Sequence, residues 1–408
     1  MAGILSSLYK KKEEEVKELK IDEGVTKVSK ENFSSSLDVT SITLPSTLKE
    51  IDEEAFMGLN KLKEINIPSV SFIPQNAFTD CTKLQKITLP PTLKRICAYS
   101  FYNCGSLEEI NIPDTVESID SYAFYGCKKL KKISLPSSLT YLGSFSFSMC
   151  SMLENINIPE GLEVINENTF SFTSLKNIDI KDNVYQIKKE AFKGCKSLIK
   201  VVLPQRLEEI SPSLFEDCRG LIECNIPHNV SVIGKDAFLN CTSLTSLFIP
   251  QNINVFHTFF RTCKALSNIE VDSENESFSF EDNALFDKKS GEIIFISKNI
   301  KGRYSIPENV ERISNNAFFN CSNIEEIYIP SSLKRISTDC LSNLKSLKAI
   351  DVSDENPYFS SENGLLFDKE KKYLLCCPRM KEGNVILPKS VNNIPRKILE
   401  KNKNVKFL

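Results

Sequence analysis

A chain of 408 residues that is 41% hydrophobic and 25% charged has the composition of an ordinary soluble globular protein. Its 51 Lys and Arg stand against 53 Asp and Glu, a net charge of -2, which leaves no domain-wide basic field for a phosphate backbone. Two histidines, His228 and His257, and 14 glycines exclude most imidazole-dependent metal and triad chemistry and any Gly-rich phosphate loop.

Residues 1–15 form a charged N-terminal segment, expected to be a helical cap. Its apolar start is too short for a secretory signal or a membrane span, so a cytoplasmic location is expected, with the 14 cysteines as thiols. From residue 16 to 408 the chain reads as a single repeat array. Prolines recur at Pro45, Pro68, Pro90, Pro113, Pro136 and Pro159, every 22 or 23 residues, and the register continues through Lys181, Pro204, Pro227, Pro250 and Asp272. After a 35-residue step it resumes at Pro307, Pro330 and Ser353, and after another at Pro388; Asp22 takes the same slot upstream, making sixteen repeats.

Each unit reads L-x-x-I-x-I-P-x-x-L-x-x-I-x-x-x-A-F-x-x-C, as from Leu107 through Pro113, Val116, Ile119, Ala123 and Phe124 to Cys127. Ile110 and Ile112 alternate with Asn111, the period of a short strand. Proline then ends it, lacking the N–H that would continue the ladder. A second extended piece follows, and the Phe positions form one inward column from Phe33 to Phe318 that includes Phe124 and Phe260. A 23-residue unit buries its apolar residues only against its neighbours, so the fold class is a β-rich repeat solenoid. Cys81, Cys104, Cys127, Cys150, Cys195, Cys218, Cys241, Cys263 and Cys321 share one slot and read as small buried fillers; parallel stacking sets their Cβ vectors side by side, poor geometry for a disulfide. Cys376 and Cys377 fall outside that register, in a segment expected to expose a thiol.

Two repeats, at about 273–306 and 354–387, are lengthened by segments that read as β-hairpins, Asn283 to Ser297 and Asn363 to Pro378. Equal offsets from Asp272 and Ser353 make Phe286 and Phe367 the expected substitutes for the missing column Phe.

The outward column of the strands is short and polar from Thr43 through Asp179, then apolar at Val202, Phe248 and Tyr328, with Ile199 and Ile222 at its flank. Ile199, Val202, Ile222, Phe248 and Tyr328 are therefore the candidate partner-binding residues; local packing is the competing reading. No nucleophile has a base at a diagnostic spacing, so no enzyme activity, metal or cofactor is expected.

The motif L-x-x-I-x-I-P with I-x-x-x-A-F-x-x-C resembles the BspA-like leucine-rich repeats over nearly the whole chain. The resemblance implies a right-handed superhelix with a parallel sheet on its concave face. The short apolar start and the free thiols point to an intracellular, non-catalytic protein-protein interaction scaffold; the resemblance alone implies the alternative, a surface adhesin exported without a classical signal peptide. In the tail, Lys403, Val405 and Phe407 resemble the basic-x-Val-x-Phe motif that docks regulators on type-one Ser/Thr protein phosphatases, which would make such a phosphatase a partner. By repeat register the alternative is that Val405 and Leu408 cover the open end of the core, with Phe407 pointing outward.

Overall fold

The computed structural model describes residues 5–11, 16–34, 38–255, 262–342 and 344–408. It divides into two compact units, Met1–Leu244 and Thr245–Leu408. Both are stacks of short parallel rungs, the solenoid read from the repeats. Phe260 and His257 lie outside the described residues. No helix among the described residues is long and apolar enough to cross a membrane.

In the first unit, β1 (Leu5–Lys11) and β2 (Val16–Ile21) precede β3 (Ser41–Thr43), β4 (Glu64–Asn66) and β5 (Lys86–Thr88). They form one sheet in chain order. The helical cap expected over 1–15 is corrected over its described part: Leu5–Lys11 is a strand paired antiparallel with β2. The pairing is physically reasonable, because β2 would otherwise present an open edge at the first rung. From β2 onward all pairs are parallel. Further along, β6 (Asn177–Asp179), β7 (Lys200–Val202) and β8 (Glu223–Asn225) make a second parallel sheet.

Between these two sheets the rungs keep their apolar alternation without regular pairing. Ile110, Ile112, Ile133 and Ile158 are buried, yet the only bridge among the described residues of those rungs joins Lys132 to Asn155. A side chain substitutes for the main chain at one of them: Asn157 Nδ2 donates to the Leu135 carbonyl at 2.7 Å and its Oδ1 accepts from the Leu135 N–H at 2.8 Å. The L-x-x-I pieces form a second wall of two-residue parallel strands, among them Arg95–Ile96, Ser118–Ile119 and Tyr141–Leu142.

The third wall carries the Ala-Phe segment, and it is a hydrogen-bonded ladder. The N–H groups of Tyr99, Phe101 and Asn103 donate to the carbonyls of Ser121, Ala123 and Tyr125 one turn later, at 3.2, 2.8 and 2.8 Å, while the residues between them bond back within their own turn. That alternation needs left-handed backbone twice per turn, as at Tyr99 and Asn103 with φ of 58° each. It aims the phenylalanines inward, where Phe101, Phe124 and Phe147 stack with centroids 5.1 and 5.2 Å apart.

The column cysteines do more than fill space. Each thiol from Cys81 to Cys150 donates to the carbonyl of the Phe one turn earlier, Cys127 Sγ to Phe101 at 3.3 Å among them, and Cys195, Cys218 and Cys241 repeat the contact. These carbonyls already accept a main-chain N–H from their own turn, as Phe101 does from Cys104 at 3.1 Å, so the thiol uses the second lone pair and adds a weak bond between turns.

In the second unit, β9 (Ser246–Ile249) pairs with β10 (Asn268–Val271), and β14 (Gly302–Ser305), β15 (Ile324–Ile329) and β16 (Ala349–Val352) form the next parallel sheet. Between them lies an antiparallel run of β11 (Phe278–Glu281), β12 (Ala284–Asp287) and β13 (Glu292–Ile296), followed later by its counterpart β17 (Phe359–Glu362), β18 (Leu365–Asp368) and β19 (Leu374–Cys376). Each insertion is thus a hairpin plus one further strand. Phe367 is fully buried as expected, but Phe286 does not take the column slot. Ile296 does: its N–H bonds to the Ala317 carbonyl at 2.9 Å and its carbonyl accepts the Cys321 thiol at 3.4 Å, the two contacts a column Phe makes. Phe286 packs half-buried against the same core.

The chain closes with helices α1 (Thr338–Ser342) and α2 (Arg396–Lys401) and the parallel pair β20 (Gly383–Val385) and β21 (Val405–Phe407). Cys376 and Cys377 are both buried, against the expectation of an exposed thiol, because they sit in and beside β19 with core packed around them. Cys97, at the end of the Arg95–Ile96 strand, is the one cysteine that is only half-buried.

Candidate protein-binding surface

The outward side of a rung is set by its period of two. Lys200 and Val202 in β7 are exposed while Val201 between them is fully buried. Parallel registry then stacks Asp179, Val202 and Asn225 across β6, β7 and β8. Columns therefore run across the first unit, and their chemistry can be followed turn by turn.

Most of this face is polar and paired between turns. Lys200 holds Glu223 at 2.9 Å, Lys176 holds Glu154 at 2.7 Å, and on the second wall Lys94 holds Glu117 at 2.8 Å. All of these pairs are exposed, so each contributes modestly and mainly fixes the solvated face. Where the ladder is interrupted, a groove of about 820 Å³ opens over Lys86, Glu109, Asn111 and Lys132.

Against that background Ile199, Val202 and Ile222 stand out, 46%, 52% and 45% exposed. The Ile222 N–H donates to the Ile199 carbonyl at 2.8 Å, which holds the two side chains in adjacent turns of one column. The Lys200–Glu223 pair lies between that column and the column of Val202. Val202 thus lies on the sheet face of the first unit, and Ile199 and Ile222 flank it at the entry to β7 and β8.

Phe248 and Tyr328 belong to the second unit and are half-buried, not freely exposed. Tyr328 is covered in part by the Arg303 guanidinium, 5.7 Å from its ring centre, and Arg303 also lies 3.8 Å from Glu326 and 3.6 Å from Asp351. Local packing therefore covers part of Tyr328, whose remainder lines a groove with Ser305 and Glu308. His228 lies exposed in a corner, where the repeat register puts it.

The opposite wall holds a feature that the sequence reading passed over. Tyr99, Tyr122 and Phe145 stack at 4.8 and 4.7 Å, and Tyr102 stacks on Tyr125 at 5.0 Å. Tyr99, Tyr122 and Phe145 all have left-handed backbone, φ 58° to 61°. Their 23-residue spacing was the available signal.

At the C-terminal end, Lys403 is exposed, while Val405 and Phe407 pack half-buried against Leu365, Phe367, Leu374, Cys377 and Val385. Phe407 is therefore not an idle outward residue. Leu408 is the exposed one, although its N–H bonds the Val385 carbonyl at 2.9 Å. To fill two pockets on a phosphatase, the Val405 and Phe407 side chains would first have to leave the core they pack against. Val405→Ala/Phe407→Ala is accordingly expected to lower stability by about 2–3 kcal/mol, half the loss of fully buried side chains, and to speed proteolytic nicking beyond residue 383. Unchanged proteolysis would argue against the packing role.

The model of the BspA type Leucine rich repeat region (6 copies) matches residues 4–111, 71–199, 163–292 and 289–363. Among solved structures, a leucine-rich repeat protein from Bacteroides ovatus is 22% identical over 100% of this chain and 99% of its own, with a TM-score of 0.54, a likeness of fold. A leucine rich cell surface protein from Faecalibacterium prausnitzii is 22% identical over 86% of this chain and 96% of its own, with a TM-score of 0.44. None of the curated proteins matches.

Proposed function

Because the chain belongs to the BspA-type leucine-rich repeat family, whose members are generally non-catalytic binding scaffolds, we propose that it binds a protein partner on the sheet face of its first unit. The observation that supports this reading is the group of exposed Ile199, Val202 and Ile222 on an otherwise polar, ion-paired face. Exposed aliphatic side chains held on a regular sheet suit a partner that brings apolar groups of its own. With its thiols donating to main-chain carbonyls, the scaffold suits a reducing compartment.

Val202→Ser/Ile222→Ser is expected to change stability by less than about 1 kcal/mol, since both side chains point to solvent. Partner capture under reducing conditions should fall instead. Loss of stability with undiminished capture would mean that these side chains serve the core and that the face is wrongly assigned.

A further inference from the structure

The sheet of β14, β15 and β16 has an open side. β14 pairs with β15 alone, and the bonds from the Gly302 and Ile306 N–H groups to the carbonyls of Asn323 and Tyr328, both 3.0 Å, show which residues face that partner. In a parallel strand alternate residues serve alternate neighbours, so the main-chain groups of Arg303 and Ser305 face away from it. Pro307 ends this edge.

A groove of about 610 Å³ runs along the edge from Arg303 to Glu308. Its other wall is the tip of the inserted hairpin, Asp282 and Asn283, both with left-handed backbone at φ 49° and 62°. The single arginine of the groove is engaged with Tyr328, Glu326 and Asp351. Asp282 and Glu308 carry no ion pair among the described residues, which leaves the groove acidic.

We propose that this edge takes up an extended, basic segment of a partner polypeptide as an added strand, about three residues long, with Asp282 and Glu308 receiving its basic side chain. The unused main-chain groups supply the pairing and the carboxylates supply the choice of sequence. The proposal rests on the protein-binding reading and adds a second, separate contact to it.

The test is fluorescence anisotropy of the full chain with a labelled, terminally blocked peptide Thr-Val-Lys-Val-Thr-Val and its Glu-for-Lys counterpart. The Lys peptide should bind at least tenfold more tightly. Asp282→Asn/Glu308→Gln should reduce that preference to less than threefold, and Ser305→Pro, which removes an outward N–H and spares the Ile306 bond to β15, should weaken binding at least tenfold. If Ser305→Pro unfolds, a peptide methylated on alternate main-chain nitrogens replaces it and should lose binding to the same extent. Equal binding of the two peptides, or full binding by the N-methylated one, overturns the proposal. Sedimentation of the parent as a dimer that Ser305→Pro dissolves also overturns it, since a second copy would then hold the edge. Failure here with partner capture still lost in Val202→Ser/Ile222→Ser removes the edge assignment and leaves the scaffold reading standing.

Discussion

Phe124→Ala is expected to cost ~3–5 kcal/mol. The ring is fully buried and stacks on Phe101 and Phe147 at 5.1 and 5.2 Å, and the backbone on either side is tied to both neighbouring turns. A cavity opened there has little room to collapse, because hydrogen bonds fix the spacing of the turns. Guanidinium unfolding followed by circular dichroism measures the effect, with the unfolding curve read for more than one transition since repeat arrays often lose cooperativity. A midpoint equal to that of the parent would show that the column is not the core.

Raising the pH from 8 to 10 is expected to destabilise the protein by about 1.4 kcal/mol for each thiol that burial holds near 12. Burial pushes Cys81, Cys150 and Cys224 from 9.0 up to about 12, because the charged form would lose its water. The sign follows directly. Above pH 9 the unfolded chain gives up these protons while the folded chain keeps them, so the unfolded state binds fewer and stability falls as pH rises, until the folded thiols titrate near 12. Guanidinium unfolding at the two pH values measures the fall. Cys81→Ser/Cys150→Ser, which keeps a hydroxyl to donate to the Phe56 and Phe124 carbonyls, should reduce the difference by about 3 kcal/mol. An unchanged pH dependence would mean that the two thiols ionise as readily folded as unfolded.

The solenoid was legible because its punctuation is chemical. A proline without an N–H stops every rung at the same slot, and the period-two alternation of residues such as Ile110, Asn111 and Ile112 states which side is buried. The exposed trio of Ile199, Val202 and Ile222 was legible for the same reason. What escaped depends on backbone geometry that side-chain identity does not announce. Left-handed turns are normally betrayed by Gly or Asn, and here Tyr99, Tyr122 and Phe145 occupy them, with ring stacking helping to offset the strain. Phe286 was misplaced because counting from Asp272 does not say which strand of the insertion fills the slot. The β12–β13 pair shifts register between Leu285 and Phe286 just as β18–β19 does between Leu366 and Phe367, so the shift does not set the two apart; in the first insertion it is the returning strand that brings Ile296 to the slot. The cysteine donors escaped because a thiol reads as apolar in composition, while the carbonyl it serves belongs to another turn. Val405 and Phe407 show the converse: a short motif matched by spacing alone carries no information about whether its strand is already paired.

The turn-to-turn ladder also has a mechanical meaning. Along the third wall Tyr99, Phe101 and Asn103 reach one turn forward and no farther, so within that stretch tension is passed from each turn to the next through a small group of main-chain bonds loaded together. Pulled from an end, such a stack would give way a turn at a time, each yielding event paying out a nearly constant length of about 23 residues of extended chain. The 35-residue repeats would interrupt that even sawtooth with longer steps, because the inserted strands β11 and β12 uncoil with the turn that carries them.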